Sequence, residues 1–330
     1  MAKNSNEETG LSRMLTLEIA RVTEAAAVAA AQLCGRGDEE AADQAAVDAM
    51  RRELNRLPIQ GLIVIGEGER DEAPMLFIGE EVGLGEGPEV DIAVDPLEGT
   101  TICAKAEPNS LAVVAFAEKG SLLHAPDIYM DKIAIGPGYE PGLVDLDATA
   151  EENIQKLAKA KGVGVAEITA CILDRPRHGR LIEAVRETGA AIRLIGDGDI
   201  AGVIHTANAE ETGIDIYMGI GGAPEGVLAA AALRCIGGQM QARLHATSEH
   251  HKERVAEIGI KNIDQKYSMD DLSSGDVIFA ATGVTTGSML QGVRIKPSGI
   301  ETETVIMRAK TRTVRWIKTE HGSTKSGGMT

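Results

Sequence analysis

The chain has 330 residues, 43% of them hydrophobic, which is enough for two ordinary domains or one large one with a sizeable core. Aromatics make up only 2%, so that core must be built from Ala, Ile, Val, Leu and Met. A formal net charge of −17 argues against nucleic acid or an anionic membrane as the main partner, and means that an anionic substrate needs Arg, Lys or metal ions to invert the field locally.

The opening "MAKNSNEETG" is polar and reads as frayed, with no leader-like apolar region after it. Ser12 is a candidate cap for a first helix running through Leu33, with Gly35 as its stop. A second helix is predicted from Asp38 to Leu57, ended by Pro58. Its apolar stripe holds Val47, Met50 and Leu54, and Asp43 falls on the same stripe. A core-facing carboxylate needs a partner or a cation. Spacing alone favours the alternative, an Asp43 at the stripe's edge that reaches solvent.

Short apolar runs then follow, each closed by a polar cluster. "LIVI" ends in "GEGERDEAP", "DIAV" in "DPLEGTT", "ITACIL" in "DRPRH", "AAIRLI" in "GDGD" and "IDIYMGI" in "GGAPEG". Such runs fit strands buried on both faces. Helices are predicted from His178 to Gly189, from Asp199 to Asn208 and from Glu225 to Ile236. The alternation is an α/β layered pattern, in which ligands gather beyond the carboxyl ends of strands. One polar strand end is ordinary turn chemistry; five of similar composition ask for more. The stretch from Leu111 to Gly138 reads as a hairpin turning at Lys119-Gly120. A Lys-rich helical region from Thr149 to Ala166 suggests a boundary, giving an N-terminal metal-binding subdomain over 1–166 and a C-terminal substrate-binding subdomain over 167–330. "DVIFAATGV" and "ETVIMRAKTRTVRWIK" read as strands, and the tail "HGSTKSGGMT" as disordered.

Cys34, Cys103, Cys171 and Cys235 stand singly in apolar or Ala-rich surroundings and read as reduced core residues. No apolar run approaches membrane-spanning length, so the expectation is a soluble, cytoplasmic protein with no nucleic-acid and no membrane partner. No Cys/His set has zinc spacing, and His250-His251 reads as a solvated pair. "GIGGAPEG" lacks the third glycine of a dinucleotide fingerprint.

The chemistry concentrates in "DPLEGT". Crowded carboxylates raise one another's pKa unless a cation intervenes, and an oxygen-only set of Asp and Glu suits Mg²⁺ or Mn²⁺. Asp95 and Glu98 straddle a turn fixed by Pro96 and can face one metal or bridge two. Gly99 lets the backbone approach a ligand, and Thr100 offers a hydroxyl and an amide at a helix start. Arg175, Arg177 and His178 offer forked donors to a phosphate, although an R-x-R-H run alone reads as a solvated helix start. On their own, Tyr129 reads as core and "GDGD" as a turn with an Asp cap.

"DPLEGT" resembles the D-P-[LI]-D-G-[ST] signature of the lithium-sensitive, metal-dependent sugar and inositol phosphatases, with Glu98 where most members have Asp. That departure, together with "IVIGEGERDEAPMLFIGEEVG", "APDIYMDKIA", "DRPRH", "GDGD" and "GIGGAPEGVLAAAALRC" in order from Leu15 to Trp316, resembles class II fructose-1,6-bisphosphatase. The resemblance implies alternating α and β layers, with Asp43, Glu67, Asp95, Glu98 and Glu225 as metal ligands. It favours Asp43 as a ligand over the solvent-reaching alternative. It implies that Thr100, with Asp71 and Glu69 as nearby carboxylates, serves the chemistry. It also implies that Glu98, Gly99, Thr100, Tyr129, Arg175, Pro176, Arg177, His178, Asp197, Gly198, Asp199 and Gly222 contact substrate. The implied reaction is metal-dependent hydrolysis of the 1-phosphate of fructose 1,6-bisphosphate, serving gluconeogenesis, by a homodimer or homotetramer. Bifunctional fructose/sedoheptulose bisphosphatases share the motifs but usually carry an insertion before "DIAVDP" that this chain lacks. An inositol-type monophosphatase is the more distant alternative, because a monophosphate has no use for a second anion clamp.

Overall fold

The computed structural model describes residues 11, 13–67 and 75–322, so the readings made for Ser12, Glu69, Asp71 and the tail from 323 onward lie outside the described residues. Helix α1 (Leu15–Ala31) packs on α2 (Glu39–Leu54), which begins where Asp38 accepts a hydrogen bond from the Ala41 amide at 3.0 Å. α2 stops at Leu54, short of the predicted Leu57. Leu57 continues the apolar pattern and is buried, but it is no longer helical.

From there the chain runs β1 (Gln60–Ile65), β2 (Glu81–Val82), β3 (Glu89–Glu98), α3 (Thr100–Lys105), β4 (Leu111–Glu118), β5 (Tyr129–Ile135) and α4 (Ala150–Lys161). Next come β6 (Thr169–Leu173), α5 (Gly179–Glu187), β7 (Ala191–Ile195), α6 (Asp199–Ile204), α7 (Ala209–Thr212), β8 (Ile216–Gly222) and α8 (Ala223–Ile236). The remainder is β9 (Gln239–Leu244), α9 (Glu249–Glu257), α10 (Met269–Leu272), β10 (Val277–Gly283), β11 (Arg294–Lys296), β12 (Gly299–Arg308) and β13 (Thr313–Gly322).

Among the described residues the strands form two mixed sheets. The larger has the order β11-β12-β10-β4-β3-β1-β2, with β13 paired to β12; the smaller has the order β7-β6-β8-β5-β9. Their side chains sort into three apolar clusters, which define five alternating layers. α1 and α2 cover one face of the large sheet through Ile19, Met50, Ile92 and Phe116. α8 and α6 lie between the sheets, meeting Val113 and Phe279 of one and Met130 and Tyr217 of the other. α4 and α5 cover the outer face of the small sheet around Ile154, Ile172 and Ile216. The layered α/β architecture expected from the sequence is the one observed.

α8 is buried along nearly its whole length, and its run of four alanines, Ala229 to Ala232, is fully inside. A helix walled on two sides by sheets has no polar face, and small side chains let both sheets approach it. This is how a core with so few aromatics fills its space.

Two expectations are corrected. β4 and β5 do not form a hairpin: β4 pairs with β3 and β10 in the large sheet, while β5 pairs with β8 and β9 in the small one. Lys119-Gly120 does turn the chain, with the Gly120 amide donating to Asp91 at 2.7 Å, but the residues that follow carry it across the central layer. Strand partners are chosen by non-local packing, which local turn chemistry does not encode. β7 is not buried on both faces either. It is the outer strand of the small sheet, and Leu194 is 38% exposed. Sheet membership also crosses residue 166 in both directions, since β5 belongs to the small sheet and β10 to β13 return to the large one.

Candidate metal and substrate site

A cavity of about 290 Å³ opens where β1, β3 and β8 end, at the amino end of α8 and beside α2. Asp43, Glu67, Asp95, Glu98, Thr100 and Glu225 all line it, together with Asp127 and Asp197. Asp43 therefore faces the cavity from α2.

The local geometry of β3 explains the pair Asp95 and Glu98. Against β4, Asp95 lies opposite Val113 but Glu98 opposite Leu111, so β3 carries one extra residue in a bulge at Pro96-Leu97. In a regular strand, positions three apart point to opposite faces. The extra residue resets the alternation, so both carboxylates join the side of Leu111 and Val113, facing α8, while Val94 and Leu97 pack toward α1 and α2. Pro96 has no amide to give the ladder and sits where none is needed. Gly99 then takes a left-handed conformation at φ 78°, turning the strand into α3 with Thr100 as its first residue.

Oxygens of Asp95, Glu98 and Glu225 lie within 4.8 Å of one another. Glu98 is 5% exposed, and one of its oxygens accepts from the Ile200 amide at 3.2 Å. The buried Oε2 of Glu225 has no hydrogen-bond partner. Burial pushes Glu67 up to about 8, helped by the charges of Asp43, Glu225 and Asp127. Burial likewise pushes Glu98 up to about 8, Glu225 to about 7 and Asp43 to about 6, and raises Asp95 well above the usual carboxylate range. Such a set is frustrated without positive charge. An orphaned carboxylate oxygen within reach of two others fits a divalent cation with oxygen ligands.

The residues expected to contact substrate divide. Asp197 stands on the cavity's edge, with its side chain accepting from the Gly198 amide at 3.1 Å. Asp199 points inward and pairs with the buried Lys132, which also donates to the Gly222 carbonyl at 2.9 Å. The Gly-rich end of β8 makes this possible. A side chain at Gly221 would collide with Asp199 and Lys132, and one at Gly222 with Glu225. Arg177 donates to the Ile220 carbonyl at 2.8 and 3.0 Å and lies over the Tyr129 ring, 4.6 Å from its centroid. Arg175, across Pro176, faces Asp197 at 3.9 Å. His178 is 2% exposed, and both ring nitrogens are taken by backbone: Nδ1 by the Leu173 carbonyl at 2.7 Å and Nε2 by the Ile220 amide at 2.8 Å. It ties the ends of β6 and β8 together and does not line the cavity.

Sequence reasoning missed two residues. Asp127, two before Tyr129, lines the cavity and adds charge to it. Lys132 is the buried cation behind it, and it carried a signal: it is in phase with Met130 and Ala134, which face the central core. A lysine on the apolar side of a strand requires a carboxylate opposite.

Oxygen-only ligands suit a hard cation, and a hard cation beside a hydroxyl suits the cleavage of phosphate esters, so cavity and fold define the class as hydrolases of phosphoric monoesters. A family profile described as "Bacterial fructose-1,6-bisphosphatase, glpX-encoded" matches residues 13–321. Two similar proteins are called "D-fructose 1,6-bisphosphatase class 2/sedoheptulose 1,7-bisphosphatase". One, from Synechococcus sp. (strain JA-3-3Ab), is 46% identical over 94% of this chain and 96% of its own length. The other, from Synechocystis sp. (strain ATCC 27184 / PCC 6803 / Kazusa), is 44% identical over 93% and 96%. The chain belongs to this bacterial, glpX-type fructose-1,6-bisphosphatase family.

Proposed function

We propose that the chain hydrolyses the 1-phosphate of fructose 1,6-bisphosphate, releasing fructose 6-phosphate and inorganic phosphate. The observation that carries this reading is the single cavity lined by Asp43, Glu67, Asp95, Glu98, Thr100 and Glu225. Magnesium or manganese held by those carboxylates supplies charge neutralisation at the phosphate and a water of lowered pKa. Thr100, whose hydroxyl has no partner among the described residues, orients the attacking water, with Glu67 near to take its proton. Asp71 and Glu69 are proposed to assist from the segment that follows Glu67. Gly99 presents backbone to the phosphate. Asp197, Gly198 and Asp199 receive sugar hydroxyls. Tyr129, Arg177 and Gly222 form one wall, and Arg175 and Pro176 another. His178 acts from behind by fixing the strand ends that carry these walls.

A second reading adds sedoheptulose 1,7-bisphosphate as a substrate, favoured by the names of the relatives. Phosphate release from both bisphosphates and from inositol 1-phosphate, each with Mg²⁺, Mn²⁺ or EDTA, tests both. Metal-dependent turnover of fructose 1,6-bisphosphate is expected; its absence in metal-loaded protein overturns the proposal, and equal turnover of both bisphosphates establishes the second reading. The chain acts as a cytoplasmic homodimer or homotetramer, a reading supported by four free thiols and by apolar surface such as Trp316, 61% exposed. Light scattering that returns a monomer at micromolar concentration refutes the oligomer.

A further inference from the structure

β13 forms an outer edge of the large sheet. It pairs with β12 over ten consecutive residues, Thr313 to Gly322, in one unbroken register, and no described strand takes its other edge. Alternate residues therefore direct amide and carbonyl groups outward, away from β12. Exposed edges are ordinarily blunted by short length, a proline or a bulge. β13 has none of the three, and only β3 and β12 equal it in length among the described strands.

The two faces of the strand differ. Thr319 and His321 point toward α1, where Thr319 donates to Glu24 at 2.7 Å and His321 Nε2 meets the Thr302 hydroxyl at 3.0 Å. Leu17, two turns before Glu24 on the same stripe of α1, is 60% exposed. Trp316, Lys318 and Glu320 lie on the opposite face, all exposed. Trp316 is the chain's only tryptophan. Neither Lys318 nor Glu320 makes an ion pair or hydrogen bond among the described residues. Glu320 stands opposite Glu301 of β12, like charge against like, so what it lacks is a cation on its open side. Gly322 ends the same row, and no described atom lies within 4 Å of where a Cβ on it would stand.

We propose that this edge joins a second copy of the chain, the two β13 strands pairing antiparallel about a two-fold axis at Thr319. The inference rests on the homo-oligomer reading and names the surface that joins the copies. In an isologous pair each residue meets a partner fixed by the axis, so charge selects the register. An axis at Lys318 or at Glu320 would set that residue against itself. With the axis at Thr319, Lys318 of each strand faces Glu320 of the other, twice over. Trp316 then lies across from the partner's Gly322, an aromatic ring over a glycine that leaves room for it. Ile317 meets the partner's His321, and the two Thr319 side chains meet on the axis. The large sheet becomes continuous through both copies, and the outward amides and carbonyls between Trp316 and Gly322 gain partners.

The test uses the full chain, in sedimentation velocity over a dilution series read alongside the emission of Trp316. Lys318→Glu and Glu320→Lys each place like charges across the seam, and each is expected to weaken association at least tenfold and to lower the mass of the assembly by half. Trp316 of the assembled wild type is expected to emit at shorter wavelength than in either single variant. Mixed in equal amounts, the two variants carry opposite charge along the strand, so they are expected to associate with each other as wild type does, which also shows that neither has lost its fold. A wild type that stays monomeric refutes the oligomer reading and this surface with it. An oligomer that both variants leave intact, with the emission of Trp316 unchanged, overturns the seam alone and leaves the copies joined elsewhere. Variants that dissociate singly and do not recover on mixing overturn the axis at Thr319.

Discussion

Lys132→Met is the most informative substitution in the molecule. Lys132 is 1% exposed and Asp199, its partner, 6%, so neither charge can turn to solvent when the other is removed. Breaking a fully buried pair costs about 3–5 kcal/mol, chiefly because the remaining charge is left without a counterion. The lost bond to the Gly222 carbonyl adds about 1 kcal/mol. The stranded Asp199 would face Glu98 and Glu225, both of which already feel its charge. Its carboxyl can escape by taking a proton, so the penalty must shrink in acid and grow as pH rises. Urea denaturation of metal-free protein at pH 5 and pH 8 measures this directly. Expected is a loss of about 4 kcal/mol or more at pH 8 and clearly less at pH 5, with Lys132→Met/Asp199→Asn recovering much of the difference. A loss below about 1 kcal/mol at pH 8, or the same loss at both pH values, would refute the argument that Lys132 is the internal counterion of this cluster.

The carboxylates themselves set a second expectation. Glu67, Glu98 and Glu225 have folded pKa values raised to about 8, 8 and 7, so their stabilising contribution is complete below the ordinary carboxylate range and is lost as pH climbs through those values. Thermal melts in EDTA should therefore fall between pH 5 and 8 while melts in Mg²⁺ should not, and parallel profiles would count against a shared cation site. Thr100→Ala is expected to lower kcat by about 10²-fold or more with KM little changed, the size typical of a lost proton-transfer or water-orienting group; a near-normal kcat removes Thr100 from the chemistry. Arg177→Ala should mainly raise KM, since the guanidinium sits over Tyr129 on one wall, and an unaltered KM would leave it as a tie to the Ile220 carbonyl alone.

The layered fold was legible because its signals are local: apolar runs of strand length, polar clusters at their ends and capped helices between them. The cavity was legible for a related reason. Its carboxylates sit at strand and helix ends, where an acidic side chain stands out against the apolar run before it. What stayed hidden was non-local. That β4 and β5 part into different sheets depends on partners far along the chain, such as β8, β9 and β10. Lys132 and Asp199 explain each other only once β5 and α6 lie side by side. Asp43 was ambiguous from spacing because a helix stripe's edge and its centre look alike until the neighbouring layer is known. The exposure of β7 likewise follows from its position at the end of a strand order, not from its composition.

The bulge in β3 makes this cavity sensitive to counting as well as to chemistry. Most enzymes lose a ligand when its side chain is changed. Here the same loss follows from closing the bulge at unchanged length, with every carboxylate still present in the sequence. Alternation would then run unbroken from Asp95, and Glu98, three positions on, would turn toward α1 and α2. Removing one residue at Leu97, by contrast, would leave the glutamate two positions from Asp95 and on the same face. The irregular pairing at Pro96-Leu97 is therefore what holds the two carboxylates together at this spacing, and a change there that regularised the strand would cost a ligand without touching an acidic residue.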